Sequence, residues 1–166
     1  MRRFLAALAL AVVATTAQAQ NTANVDATAT VVSPLTLTLS SGAIDFGNVF
    51  PGTTPAAITP ASGAKFVASG YASAEVDFQF TTVPASLSDG ANTLGITFQY
   101  CVDNDDDAAA CAVSGSAATG VANLVNLTAG GAAQLWLGAT LAAIPANQPA
   151  GSYQGQVSLQ VNYTGN

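Results

Sequence analysis

Residues 153–163, "YQGQVSLQVNY", decide the fold, because apolar and polar side chains alternate along the whole stretch. Alternation with a period of two residues is typical of a half-buried β-strand, whereas a helix would scatter the same side chains around its axis. At about 3.3 Å per residue, the stretch predicts a strand of about 36 Å. Its predicted buried face consists of Tyr153, Gly155, Val157, Leu159, Val161 and Tyr163.

The same alternation recurs in the rest of the chain. It is clearest in residues 76–80, in residues 94–102 and in residues 25–31. Turn signals such as "SSG", "SDGAN" and "ANQPAG" separate the runs, and no helical period is sustained after the N-terminal segment. Many short strands separated by turns indicate an all-β antiparallel sandwich in a single domain, residues 20–166. Further strand patterns lie at residues 35–39 and near residues 65–69, 123–128 and 134–141.

Residues 1–19 have the pattern of a secretory signal peptide. Arg2 and Arg3 precede the apolar run "FLAALALAVVA", and the small residues Ala17 and Ala19 frame a cleavage site. The apolar run is shorter than the about 20 residues that a membrane-spanning helix needs. We therefore expect cleavage after Ala19, no membrane anchor, and export through the periplasm to the cell surface or the extracellular space.

The charge balance excludes one class of partner. After cleavage, Lys65 is the only basic side chain and faces nine acidic ones, a net charge of −8. Nucleic acids and anionic membranes are recognised by clustered lysine and arginine, so neither is an expected partner. Only 7% of the residues are charged, against about 25% in a typical domain. Such a surface is common in secreted β-proteins and in subunits that bury much of their surface against one another.

The residue types also argue against enzymatic activity. The chain has no histidine, which excludes a Ser-His-Asp or Cys-His relay and an imidazole metal site. A glycosidase needs two carboxylates that converge on a cleft. Asp45, Glu75, Asp77 and Asp89 fall on predicted turns and outward faces instead. We therefore expect no catalytic residue and no cofactor.

The two cysteines, Cys101 and Cys111, enclose the stretch "VDNDDDAAA". In an exported chain two cysteines are expected to form a disulfide. Closing so short a loop stabilises the fold by roughly 2–3 kcal/mol on the chain-entropy model. Cys101 is out of phase with the predicted core residue Tyr100, so the bond is expected on the outward face of a hairpin.

The enclosed carboxylates raise the question of a metal site. Asp103, Asp105 and Asp107 have the spacing that begins an EF-hand calcium loop. The pattern then fails, because Ala108 stands where the loop needs glycine and Ser114 stands where the bidentate glutamate belongs. We interpret the stretch as a charged, solvated hairpin tip with no metal, and a looser Ca²⁺ site remains the alternative.

Three aromatic side chains have predicted roles in packing. Trp136 lies between Leu135 and Leu137, so its indole is expected in the core or lining a groove rather than stacking on a carbohydrate. Tyr153 and Tyr163 end the buried face of the predicted terminal strand. Each of their hydroxyl groups is expected to reach the rim of the sandwich.

Three stretches carry a resemblance to a known family. They are residues 25–49, which end in the turn "IDFGNV", residues 135–153, "LWLGATLAAIPANQPAGSY", and the terminal "VSLQVNY". Together they resemble the secreted bacterial β-sandwich family described as domain of unknown function 4402, which is similar to spore coat protein U and to chaperone–usher pilins. The resemblance covers nearly all of the chain after the signal peptide.

The resemblance implies an immunoglobulin-like, pilin-like β-sandwich with a structural or adhesive role at the cell surface. In pilins of this class, an extended segment of one subunit completes the groove of its neighbour, which supplies main-chain hydrogen bonds and pockets for alternate side chains. This sequence departs from the pilin pattern in its cysteines. Pilins usually bridge early strands, whereas Cys101 and Cys111 lie in the middle of the chain.

The resulting hypothesis is a structural subunit of an extracellular fibre, pilus or surface coat that associates with identical subunits. Val25, Ala27, Ala29 and Val31 share one face and form the candidate assembly strand. Two interpretations stay open: this strand is donated to a neighbour with Pro34 as a hinge, or it is the first strand of its own complete sandwich. The alternative function is a secreted monomeric binding module or adhesin with a Ca²⁺-binding acidic loop. The sequence identifies no ligand, assembly chaperone or usher.

Overall fold

The structure, a computed structural model, describes residues 23–31, 33–108 and 115–165. The chain divides into two compact units, Met1–Thr30 and Val31–Asn166. No helix in the described ranges is long and apolar enough to cross a membrane. The second unit holds a short 3-10 turn, Pro60–Ser62, and the strands β1 (Thr36–Ser41), β2 (Ala64–Ser69), β3 (Glu75–Thr82), β4 (Ser86–Ser88), β5 (Thr93–Asp103), β6 (Gly115–Ser116), β7 (Ala122–Asn126), β8 (Ala132–Leu141) and β9 (Ser158–Tyr163).

The strands form two antiparallel sheets. The larger sheet has the order β1-β2-β8-β5-β4, with β6 paired to β5, and the smaller sheet has the order β7-β3-β9. Apolar side chains of both sheets meet in one core, which includes Phe78 of β3 and Leu135 of β8. The predicted all-β antiparallel sandwich is confirmed. The strand patterns predicted at residues 35–39, 65–69, 123–128 and 134–141 correspond to β1, β2, β7 and β8.

The predicted alternation is present in β3 and β5. Strand β3 buries Val76, Phe78 and Phe80, and the first half of β5 buries every second residue from Leu94 onward. The ring of Phe80 meets the ring of Tyr100 edge-on, with 5.5 Å between their centroids. This contact joins the two sheets, because Phe80 lies on β3 and Tyr100 on β5.

Strand β8 is buried on both faces, which a half-buried pattern does not predict. Leu135 points into the core, and Trp136 is buried on the opposite, outer face. Part of the outer face is covered by the chain that leads into the 3-10 turn, where Ile58 and Ala139 exchange main-chain hydrogen bonds of 2.8 and 2.9 Å. A Cβ atom at Gly138 would lie 2.4 Å from the Ile58 carbonyl oxygen. Only glycine therefore permits this close crossing.

The predicted continuous strand over residues 153–163 is wrong in its first half. Gln154 pairs with Ser88 of β4 through main-chain hydrogen bonds of 2.8 and 2.9 Å. Residues 155–157 then belong to no strand, and β9 pairs with β3 of the smaller sheet. The segment thus passes from the edge of one sheet to the other. The side chains that point inward have odd numbers both before and after the chain passes between the sheets. The alternating pattern is therefore continuous in sequence although the strand is not.

Residues 25–31 do not form the predicted strand. They have no regular secondary structure, and every one of them is exposed. The first strand of the sandwich is β1, which begins at Thr36. Alternating apolar residues form a strand only when a neighbouring strand supplies hydrogen bonds and a face to pack against. The predicted signal peptide, residues 1–19, lies outside the described residues and stays a prediction.

Candidate functional site

An apolar groove opens along the inner face of the larger sheet. It has a volume of about 320 Å³. Its floor is the inner face of the larger sheet, and its walls are residues 42–46, which follow β1, and residues 155–157, which precede β9. We refer to it as the edge groove. The side chains that shape it are Ile44, Phe46, Ile96, Phe98, Leu137 and Val157.

The main chain along both walls of the edge groove lacks strand partners. No main-chain group of residues 42–46 or 155–157 is hydrogen-bonded to the main chain of another described residue. The adjoining strands β1 and β9 are edge strands, each paired on one side only, with β2 and β3 respectively. Unpaired N–H and C=O groups beside an apolar trough are the features that an added strand recognises.

The sandwich is closed where residues 117–120 connect β5 with β3. The Ala117 N–H donates to the Phe98 carbonyl oxygen of β5 at 2.9 Å. The Gly120 N–H donates to the Phe80 carbonyl oxygen of β3 at 3.1 Å. These two bonds tie the sheets together at that side. The walls of the edge groove, by contrast, have no such main-chain bonds to other described residues.

The candidate assembly strand exposes its apolar face. Val25 and Val31 are 92% and 95% exposed, and Ala27 and Ala29 are exposed as well. Apolar area in water costs about 25 cal/mol per Å² relative to burial. A segment of this kind is therefore stabilised by any surface that covers the four side chains.

A more polar cavity of about 400 Å³ adjoins the edge groove and shares Ile44 and Phe46 with it. Asp45 lies there, and its Oδ1 accepts a hydrogen bond from the Gly47 N–H at 2.8 Å. The hydroxyl of Tyr153, on the same cavity, donates to a loop carbonyl, that of Pro149, at 2.8 Å. Asp45 therefore shapes a turn at the end of the groove.

Asp89 and Asp77, two further carboxylates considered in the sequence, accept hydrogen bonds from main-chain N–H groups. The N–H groups of Asn92 and Ala91 donate to Asp89 Oδ1 at 2.6 and 2.9 Å. These bonds, the Asn92 N–H foremost, hold the pKa of Asp89 below its usual range. Asp77 Oδ1 accepts from the Asn123 N–H at 2.8 Å on the smaller sheet. Both carboxylates thus bond neighbouring main chain.

The acidic loop, residues 103–107, folds back over the outer face of the larger sheet and is not a free hairpin tip. Asp106 forms an ion pair with Lys65 of β2. The Lys65 ammonium lies 5.7 Å from the centroid of the Trp136 ring. This ion pair holds the loop across β8, because β8 lies between β5 and β2 in the sheet.

Two of the three carboxylates with EF-hand spacing, those of Asp103 and Asp105, accept hydrogen bonds from their own loop. Asp103 Oδ1 accepts from the N–H groups of Asn104 and Asp105 at 2.6 and 3.3 Å. Asp105 Oδ1 accepts from the Asp107 N–H at 3.1 Å. Across the part of the chain that is described, no group of three His, Cys, Asp or Glu side chains is placed to hold a metal ion.

Trp136 and Cys101 form a small second cluster on the outer face of the larger sheet. Both are 3% exposed, and Ala108 of the returning chain packs against them. The indole is buried, but it lies neither in the main core nor in the edge groove. Cys101 is on the outer face, as predicted, yet it is covered by chain. Cys111 lies outside the described residues, so the Cys101–Cys111 disulfide stays a prediction.

Replacing Asp103, Asp105 and Asp107 with asparagine is expected to leave the melting temperature in millimolar calcium nearly unchanged. Asp103 and Asp105 accept hydrogen bonds from N–H groups of their own loop, and asparagine keeps an acceptor oxygen for each of these N–H groups. Differential scanning calorimetry with and without calcium measures the effect. The Asp106→Asn control removes an exposed ion pair worth about 0–1 kcal/mol. A calcium-dependent rise in melting temperature that the triple change abolishes would instead establish a Ca²⁺ site.

Comparison with known proteins adds no relative: the chain matches no protein-family model and no curated protein significantly. The resemblance to the secreted β-sandwich family therefore stays a prediction.

Proposed function

We propose that the exported chain is a structural subunit of an extracellular fibre, pilus or surface coat. Identical subunits assemble by strand exchange, in which residues 25–31 of one copy enter the edge groove of another. One observation carries the proposal: the chain combines an apolar groove bounded by unpaired main chain with a separate exposed strip of alternating apolar side chains.

The strip and the edge groove are chemically complementary. In an extended segment Val25, Ala27, Ala29 and Val31 project to one side, where the groove offers an apolar floor. Asp26 and the two threonines of the strip project to the other side and stay in water. Burying the four apolar side chains contributes roughly 4–6 kcal/mol at about 25 cal/mol per Å². Main-chain hydrogen bonds along both walls add to this and require no particular side chain.

Export and the disulfide belong to the same proposal. The signal-peptide pattern of residues 1–19 supports secretion, and the low charge of the chain suits a subunit whose surface is buried against its neighbours. In that oxidising compartment Cys101 and Cys111 form the disulfide at the base of the acidic loop. The bond would hold the chain that covers Trp136.

Truncation tests the proposal. A chain that begins at residue 32 lacks the strip but keeps Ser33, whose carbonyl oxygen is bonded to Tyr163. We expect it to fold, because Val31–Asn166 is a compact unit by itself, and to remain monomeric where the chain beginning at residue 20 forms filaments. Circular dichroism, size-exclusion chromatography and electron microscopy provide the measurements.

A synthetic peptide of residues 20–31 completes the test. It is expected to bind the truncated chain, whereas a peptide with Val25 and Val31 replaced by aspartate is not. Filaments formed by the truncated chain would contradict strand exchange. So would an unfolded truncated chain that no added peptide rescues, because residues 25–31 would then be needed by their own sandwich.

A further inference from the structure

Strand β7 leaves one edge of the smaller sheet without a neighbouring strand. It pairs with β3 alone, on the side of β3 that faces away from β9 and the edge groove. One position beyond the strand, the Leu127 N–H donates to the Ala74 carbonyl oxygen at 2.9 Å. Because the residues that bond the neighbouring strand alternate in an antiparallel ladder, the odd-numbered residues of β7 continue these bonds to β3. The even-numbered residues therefore point their N–H and C=O groups away from β3: Ala122, Leu124 and Asn126.

One end of this unpaired side is already occupied. The Asn126 carbonyl oxygen accepts a hydrogen bond from the Asn104 side chain of the acidic loop at 3.1 Å. Ala122 and Leu124 are exposed, and their main-chain groups have no hydrogen-bond partner among the described residues. We refer to the N–H and C=O groups of these two residues as the β7 edge.

The β7 edge lacks the features by which edge strands usually avoid pairing. Proteins protect such edges with charged side chains, proline or a β-bulge. Strand β7 has no charged residue and no proline, and no bulge interrupts its register with β3. Asn123 fixes that register, since its side chain donates to the Phe78 carbonyl oxygen at 2.9 Å and its N–H donates to Asp77 Oδ1 at 2.8 Å. Leu124 adds an apolar side chain that is 59% exposed.

The β7 edge is complementary to an identical edge. In an antiparallel pair, two residues that exchange both main-chain hydrogen bonds lie directly opposite each other, and such pairs alternate with pairs that exchange none. A two-fold axis at Asn123 places Ala122 of each copy opposite Leu124 of the other copy. Every N–H and C=O group of both edges then has a partner, and Asn126 keeps its bond to Asn104.

Charge does not oppose the approach of two copies at this edge, although the chain is acidic. No charged side chain occurs after Asp107, so β7 and the residues on both sides of it are neutral. The carboxylates beside β7 in the sheet belong to Glu75 and Asp77 of β3. In the pair, the two copies of Asp77 are three strand spacings apart, about 14 Å, which exceeds the screening length of about 8 Å at physiological salt. A charged partner segment would find no opposite charge on β7 itself, which favours a second copy of this chain as the occupant.

We infer that two copies of this chain associate through their β7 edges and join their three-stranded sheets into one continuous sheet. This interface is separate from strand exchange, because the edge groove lies beside β1 and β9 and its filling leaves β7 unpaired. Five residues on each side bury less surface than the about 1,200 Å² of a stable interface, so a single pair is weak. Subunits joined in a fibre present many β7 edges together, which strengthens lateral contact between fibres.

Cysteine crosslinking tests the register of the pair. One chain carries Ala122→Cys and a second chain carries Leu124→Cys. Both begin at residue 20 and also carry Val25→Asp and Val31→Asp, which prevent strand exchange. The two chains are mixed at high concentration and oxidised. In the inferred register, positions 122 and 124 of two copies have Cα atoms about 5.5 Å apart, within the range of a disulfide. We expect mass spectrometry to find this bond.

Each chain alone should form no bond between its own copies, because identical positions lie two residues out of register, about 8 Å apart. The matched control is Phe50→Cys, an exposed position in a loop outside β7, which reports random collision. Mixed crosslinking no greater than in this control, or crosslinking of either chain with itself, would overturn the inference. Strand exchange is blocked in these chains, so the result does not depend on the proposed function.

Electron microscopy of Leu124→Lys filaments tests the same interface in the assembled state. Leucine at this position is exposed, so lysine leaves the subunit folded, but a charged edge strand resists pairing. We expect filaments of the original sequence to align side by side, filaments of Leu124→Lys to stay single, and the control Phe50→Lys to align as the original does. Alignment that persists in Leu124→Lys, or is absent from the original filaments, would overturn the inference. Failure of the original chain to form filaments would instead contradict the proposed function, and the crosslinking result would still decide the β7 pairing.

Discussion

The double substitution Val25→Asp, Val31→Asp is expected to abolish filament formation while the sandwich stays folded. Both side chains are more than nine-tenths exposed, so aspartate costs the monomer almost nothing. In the exchanged state, each carboxylate would have to enter the apolar edge groove without a partner charge, which costs several kcal/mol. Electron microscopy of filaments and thermal denaturation of the monomer measure the two effects.

The control is Thr28→Asp, which adds a charge on the opposite face of the same strip. This side chain is predicted to point to solvent after exchange, so filaments should form nearly as before. The effect of the double substitution must therefore depend on parity and not on charge alone. Equal loss of assembly in the control, or filaments that survive the double substitution, would contradict insertion of residues 25–31 into the groove.

Phe78→Ala is expected to destabilise the folded chain by about 3–5 kcal/mol. Phe78 is fully buried between the sheets, and β3 carries it at the centre of the smaller sheet between β7 and β9. Removal of the ring loses apolar transfer energy and leaves a cavity that rigid strands on both sides do not collapse to fill. The melting temperature should fall by roughly 10 °C, since about 1 kcal/mol corresponds to 2–4 °C in a domain of this size. Denaturant unfolding provides the free energy.

The adjacent Gln79→Ala variant is the matched control. Gln79 faces outward from the same strand and accepts a hydrogen bond from the Gln160 side chain at 2.9 Å. Loss of an exposed bond of this kind changes stability by about 0.5 kcal/mol or less. If Phe78→Ala were no more harmful than Gln79→Ala, the two sheets would not pack through this residue, and the core would have to lie elsewhere.

The alternating pattern determined the class of fold and most of the strands. Period-two alternation is a property of the extended chain itself. It therefore predicted strands at residues 76–80 and 94–102 without any knowledge of the strands that pair with them. The same property explains the two errors. Residues 153–157 alternate although they cross between sheets, and residues 25–31 alternate although no strand of the described chain pairs with them.

Only the tertiary structure decided which segments cover the outer face of the larger sheet. The sequence indicated that Trp136 would be buried, but not that Ala108 would pack against it or that Lys65, which pairs with Asp106 forty-one residues away in sequence, would lie over its ring. No local pattern encodes such a contact, since it arises only when β2, β8 and β5 become neighbours. The EF-hand spacing of the acidic loop likewise could not reveal that Asp103 and Asp105 bond their own main chain.

The edge groove is the clearest case of information that the sequence lacks. Its floor residues, such as Ile96 and Leu137, are indistinguishable in sequence from ordinary core residues. An inward-facing strand position carries an apolar side chain whether it packs against the opposite sheet or lines a groove. The gap appears only when the sheets are assembled and the main chain of residues 42–46 and 155–157 makes no bond to the main chain of another described residue. What the sequence did determine is the apolar parity of residues 25–31, since alternation is local. Whether a groove of the right shape exists depends on long-range strand order, and so only the folded chain could show it.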